Sequence, residues 1–182
     1  GAAATRAAAA AAAPRPLVNK RKRCEEVPRD AEGRPRMPVH LSPSQYVCAL
    51  GRVVHDRPGF HSANYIWPAG YEAVRLFFSA KDPSRRVAWT CEIADTGGEA
   101  PEFRLTPADD PENVLRGPTA TAVWSEVLRR VAAKRTSEKS MGNISGPEYF
   151  GYANPTILRL IQELPGADQC SRYKFQDLVV NV

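Results

Sequence analysis

Asp95-Thr96-Gly97 is the triplet in this chain that most suggests a reaction. Peptide hydrolysis by aspartates needs two such carboxylates sharing one proton. Only one copy is present, and it runs into Gly98-Glu99 instead of an apolar strand, so the residue types are those of a turn. Asp109-Asp110, followed by Pro111, reads the same way. His40, His55 and His61 are the only histidines. Cys48, His55 and His61 match no common zinc spacing, and a fourth ligand is missing. No serine sits in a nucleophile elbow, and no glycine-rich loop is present to cradle phosphate. These residues give no catalytic site, no metal and no cofactor, so the sequence does not read as an enzyme.

Charge is the second source of chemistry. Residues 1–36 hold nine Lys or Arg and four Asp or Glu, whereas residues 37–182 hold sixteen of each sign. The whole excess of +5 therefore belongs to the first 36 residues. Lys20, Arg21, Lys22 and Arg23 are four consecutive cations of the kind that acidic grooves of nuclear import receptors accept. The same cluster allows weak nucleic-acid contact through phosphate neutralisation, for which the neutral body is poorly suited. The alanine run from Ala7 to Ala13 has no apolar stripe to dock, and Pro14-Arg15-Pro16 ends it. Residues 1–36 accordingly read as a disordered Ala/Arg/Pro-rich tail, with the folded domain over 37–182. No apolar run is long enough to span a bilayer, so no membrane partner is expected. Cys24, Cys48, Cys91 and Cys170 lie far apart and suggest neither a disulfide framework nor a paired zinc knuckle.

The elements that must position the remaining side chains are legible from their periods. Tyr46–Val54 is rich in β-branched and aromatic residues and is expected to be a strand. Over Tyr71–Ser79, Val74, Leu76 and Phe78 face one way and Ala73, Arg75 and Phe77 the other. After the turn at Asp82-Pro83-Ser84, Val87, Trp89, Cys91 and Ile93 alternate with Ala88, Thr90 and Glu92. Asp95-Thr96-Gly97-Gly98 is a hairpin signal, and Phe103 and Leu105 continue the pattern beyond it. These three segments read as an antiparallel meander. Val123, Trp124, Val127, Leu128 and Val131 form one helical stripe. Asn154 caps a second helix that starts at Pro155 and is stopped by Pro165-Gly166, with Ile157, Leu158, Ile161 and Leu164 on its apolar face. A sheet with one apolar face and two amphipathic helices predict a single two-layer α+β domain, with the helices packed on an antiparallel sheet. Lys134–Ser145 reads as a polar loop.

Two aromatic-rich stretches remain: Phe60 to Tyr71, and Ser145-Gly146-Pro147-Glu148-Tyr149-Phe150-Gly151-Tyr152. Together with Asp56-Arg57-Pro58-Gly59-Phe60-His61, Tyr65-Ile66-Trp67-Pro68-Ala69-Gly70-Tyr71, Arg75, Ser79 and Trp89-Thr90-Cys91-Glu92-Ile93, they resemble the chromatin-associated FY-rich domain. Phe103, Pro107, Trp124, Leu164-Pro165-Gly166-Ala167, Cys170 and Tyr173 extend that resemblance through its C-terminal part. The N-terminal half spans about 42–98 and the C-terminal half about 101–178. Such adjacent halves, the lead-in from Gly33 to Val39 and the basic cluster resemble the transforming growth factor beta regulator 1 family; trithorax-type methyltransferases keep the halves far apart. Trp67 stands where the family more often has Tyr.

The resemblance implies interleaved halves that share one sheet. It also implies a nuclear setting and non-catalytic contacts with nuclear or chromatin-associated proteins in transcription or cell-cycle regulation. An alternative is a fragment of a histone lysine methyltransferase or demethylase whose catalytic domain lies elsewhere. Trp89, Phe103 and Trp124 are expected in the core. Arg57, Phe60, Tyr65, Trp67, Tyr71, Arg75, Tyr149, Phe150 and Tyr152 are the candidates for partner binding or for the core of the motif. Arg57 and Arg75 are expected to pair with acids of the domain.

Overall fold

A computed structural model describes residues 21–136 and 141–181. The alanine run and Lys20 lie outside the described residues. The elements in chain order are β1 (Lys22–Cys24), β2 (Val39–Ser42), β3 (Gln45–Ala49), β4 (Glu72–Phe78), β5 (Arg86–Ala94), β6 (Glu102–Pro107) and β7 (Leu115–Gly117). Helices α1 (Ala120–Lys134), α2 (Gly146–Phe150) and α3 (Pro155–Gln162) follow, and strand β8 (Leu178–Val180) ends the fold. Strands β2 to β7 form one antiparallel sheet in sequential order. β1 and β8 pair in parallel as a separate two-stranded sheet.

The alternation in β5 sets the core. Val87, Trp89, Cys91 and Ile93 are buried, and Phe103 and Leu105 of β6 lie beside them in register. Helix α1 covers this face with Val123, Trp124, Val127 and Val131, all buried. Its start is fixed by Thr119, whose hydroxyl accepts from the Ala122 amide at 3.0 Å. Asn154 caps α3 in the same way, accepting from the Thr156 amide at 2.9 Å. The short helix α2 wedges against α1. A Cβ on Gly146 would lie 2.3 Å from the Thr121 backbone nitrogen, so only glycine permits that approach. The domain is thus α+β, with both halves in one sheet: β2 to β5 come from the first, β6 and β7 from the second. Interleaving occurs through side chains and loops, because the strand order itself is sequential.

Two expectations are corrected. The strand expected over Tyr46–Val54 ends at Ala49. Gly51 takes φ +76, and a Cβ there would lie 2.4 Å from the Ala69 carbonyl oxygen, so the chain turns away at this point. The tail also ends earlier than residue 36. From Arg21 onward the chain lies on the body: Cys24 is 2 % exposed and Val27 8 %. Burial of those two side chains, the β1–β8 ladder and a 3.0 Å bond from the Glu25 amide to Thr156 Oγ1 hold it there.

Candidate protein-docking surface

The aromatic candidates divide by burial. Phe60, Tyr71, Phe150 and Tyr152 are buried and present nothing to a partner; Tyr71, Phe150 and Tyr152 join the two halves in one core. The Tyr71 hydroxyl donates to the Phe150 carbonyl at 2.8 Å across the halves. Burial pushes the phenols of Tyr71 and Tyr152 well above the ordinary range. Tyr65 meets Tyr152 edge-on at 5.1 Å, and Trp67 meets Phe103 edge-on at 6.1 Å; both are only half-buried. Phe60 belongs to a small separate cluster with Val54 and Ala69.

Arg57 is held within the domain. Its guanidinium donates from Nη1 to Asp95 Oδ1 and to the Gly98 carbonyl, each at 2.9 Å, and from Nη2 to Asp95 Oδ2. It also lies 4.6 Å from the centre of the Phe60 ring. Arg57, followed by the Gly97 amide, holds the Asp95 carboxyl well below the usual carboxylate range. The aspartate of the Asp-Thr-Gly triplet is therefore a fixed counter-ion at a hairpin. Among the described residues, no three of His, Cys, Asp and Glu come together as a metal site.

Arg75 is placed differently. It lies on β4 on the same face as Ala73 and Phe77, half-buried, and no acid pairs with it among the described residues. Its guanidinium lies 3.6 Å from the centre of the Tyr149 ring, and Nη1 donates to Gln45 Oε1 at 3.2 Å. Gln45 is itself fixed, because Nε2 donates to the carbonyls of Glu148 and Tyr149 at 2.9 Å each. Next to this stack, Phe78 carries two more guanidiniums, Arg86 at 5.0 Å and Arg135 at 5.1 Å from its ring centre. Arg86 stands directly opposite Phe78 in the β4–β5 ladder, and Arg135 is the residue after α1. Together they surround a pocket of about 260 Å³, which Met141 and Ile144 also line.

Sequence reasoning missed Gln45, Arg86 and Arg135. Nothing local distinguishes these polar residues from others on strands and helix ends; only the ladder register and the α1 terminus bring them to one place. A larger cavity of about 530 Å³ lies between residues 23–28, β2 and the start of α3.

Comparison with known proteins decides the family. The "F/Y-rich N-terminus" model matches residues 36–96 and the "F/Y rich C-terminus" model matches residues 100–177. The chain belongs to the FY-rich family. Its FY-rich halves are adjacent, and the chain is similar to Transforming growth factor beta regulator 1 of Mus musculus, 39% identical over 157 residues, 85% of this chain and 38% of that protein. The Xenopus tropicalis protein of the same name is 34% identical over 155 residues, 85% of this chain and 37% of that protein. Histone-lysine N-methyltransferase trr of Drosophila melanogaster is 34% identical over 130 residues, which is 67% of this chain but 5% of that protein. The FY-rich chain thus spans well under half of each of these relatives.

Proposed function

We propose that the FY-rich body is a non-catalytic docking module that binds a protein partner in the nucleus, in chromatin, transcription or cell-cycle regulation. The observation that carries this reading is portability. The same unit makes up 38% of one relative and 5% of another whose name denotes a methyltransferase. A unit carried between proteins of such different size is one that works through contacts of its own. The greater share of this chain matched by the regulator 1 relatives, 85% against 67%, favours a regulator over a methyltransferase fragment. Lys20 to Arg23 serves as the address for an import receptor. Arg21 Nε donates to Asp177 at 2.9 Å, while the side chains of Lys22 and Arg23 stay exposed on β1, where a receptor can reach their charges.

Affinity capture from nuclear extract tests the reading. The full chain should retain a partner, and removal of residues 37–182 should abolish retention. Alanine at Lys20, Arg21, Lys22 and Arg23 should shift the protein out of the nucleus and leave capture intact. Retention that survives loss of the body would overturn the docking role. Unchanged location of the alanine variant would overturn the import role.

A further inference from the structure

We propose that the pocket framed by Arg75, Arg86 and Arg135 receives an acidic segment of the partner protein that also carries an apolar side chain. The assignment rests on the docking reading above and names the surface and the chemistry of what it holds.

Charge is the first argument. Among the described residues, three guanidiniums line the pocket and no carboxylate does. Elsewhere the half-buried arginines are neutralised: Arg29 by Glu163, Arg57 by Asp95, Arg104 by Glu102 and Arg159 by Glu163. Arg75 and Arg135 are half-buried and Arg86 is exposed; none of the three forms an ion pair among the described residues, and residues 37–182 as a whole are neutral. Three uncompensated cations in a neutral body form a local positive field that attracts an anion.

Geometry is the second. Each guanidinium lies over an aromatic ring, Arg75 on Tyr149 and the other two on Phe78. Stacking fixes the flat face of the cation and leaves N–H groups at its edge for a carboxylate. Less side-chain freedom is then lost when an acid arrives.

The pocket lining is the third. Phe77, Phe78, Met141, Ile144 and Tyr149 surround the cations, and Leu76 at 39% exposure adds an open apolar edge. At about 260 Å³ the pocket lies below the range of cofactor sites and suits one or two side chains. Nucleic acid, by contrast, calls for a groove of cations that tracks the backbone. A compact cluster around aromatic rings favours peptide.

The pocket also exists only in the assembled domain. Arg75, Phe78 and Arg86 come from the N-terminal half, and Arg135, Met141 and Tyr149 from the C-terminal half.

The test is fluorescence anisotropy with the full chain and a short labelled peptide that alternates Glu with Leu around a central Phe. Binding at physiological salt is expected, weakening as salt is raised. The R86E/R135E double variant should bind about tenfold or more weakly. Leu76→Glu, a change at an exposed position, should weaken binding by its own route. Thermal melts of both variants confirm folding. A Lys-for-Glu peptide should not bind. Equal binding by the wild type and both folded variants would overturn the assignment, as would no binding by the wild type. A single-stranded oligonucleotide or a plain polyglutamate peptide binding as tightly as the probe would overturn the choice of an apolar acidic segment. Nuclear-extract capture separates the two levels. If R86E/R135E retains the partner as well as wild type, the pocket is wrong and the docking module stands. If the wild type retains nothing, the module reading itself fails.

Discussion

Asp95 illustrates how residue type alone underdetermines role. The carboxylate of an Asp-Thr-Gly triplet is a reactive group in one setting and a counter-ion in another, and here Arg57, Arg52 and the Gly97 amide all donate to it. Its folded pKa is depressed, so the stabilisation it contributes is complete above about pH 4 and is lost as pH falls through the folded value. Asp95→Asn should therefore lower the melting temperature at neutral pH, and the gap between variant and wild type should begin to narrow near about pH 4 and close only as pH falls through the depressed folded value. Melts recorded across that range check this; a gap independent of pH would mean Asp95 acts through shape instead of charge. Tyr71 tests the neutral counterpart. Its hydroxyl satisfies the Phe150 carbonyl inside the core, and Tyr71→Phe leaves that oxygen unbonded by it, at a cost of about 1–3 kcal/mol. Urea unfolding should show a lower midpoint with an unchanged slope. The aromatic residues were legible as a group in the sequence, but which of them lie inside was not. Tyr65 and Tyr71 are both tyrosines flanking Trp67 and both meet Tyr152 edge-on, yet only Tyr71, bonded to the distant Phe150 carbonyl, is fully buried.

Elements were readable where the signal is local. α3 carries its own cap, start and stop in Asn154, Pro155 and Pro165-Gly166, and β5 carries nine residues of alternation. β1 and β8 carry three residues each, too few for a period, and the bond from Arg21 to Asp177 joins positions 156 apart. Composition around Arg21 to Arg23 reads as tail, and only the partner strand reveals otherwise. That difference has a measurable consequence. A chain starting at Arg29 loses β1 and the buried side chains of Cys24 and Val27. Removing them should lower stability by about 2–4 kcal/mol, given the area they cover. Hydrogen exchange should show Leu178, Val179 and Val180 losing protection, while the amides of β5 keep theirs. A truncated chain with unchanged melting and unchanged exchange would return these residues to the tail.

At the scale of the whole molecule, the two FY-rich halves divide one sheet between β5 and β6. That seam is the middle of the ladder, where Cys91 faces Leu105 and Ile93 faces Phe103, all four buried. On the first side lie Tyr71, Trp89 and Ile93; on the second, Phe103, Leu105, Trp124, Phe150 and Ile157, all in one core cluster. A half made alone would expose β5 or β6 as a long apolar edge strand and strip the helices of the sheet they cover. Neither residues 1–98 nor residues 99–182 should then unfold cooperatively on their own. Trp89 and Trp124 supply the probe. Their ring centres lie 6.0 Å apart, one tryptophan from each half, inside the core. Near-ultraviolet circular dichroism should be weak for either half and should appear when the two are mixed, as the indoles become fixed against each other. The Arg75–Arg86–Arg135 pocket should return with that signal, because the rings and cations that frame it come from both sides of the seam. A cooperative melt from an isolated half would instead describe two domains in contact, and the adjacency of the motifs would then carry no structural requirement.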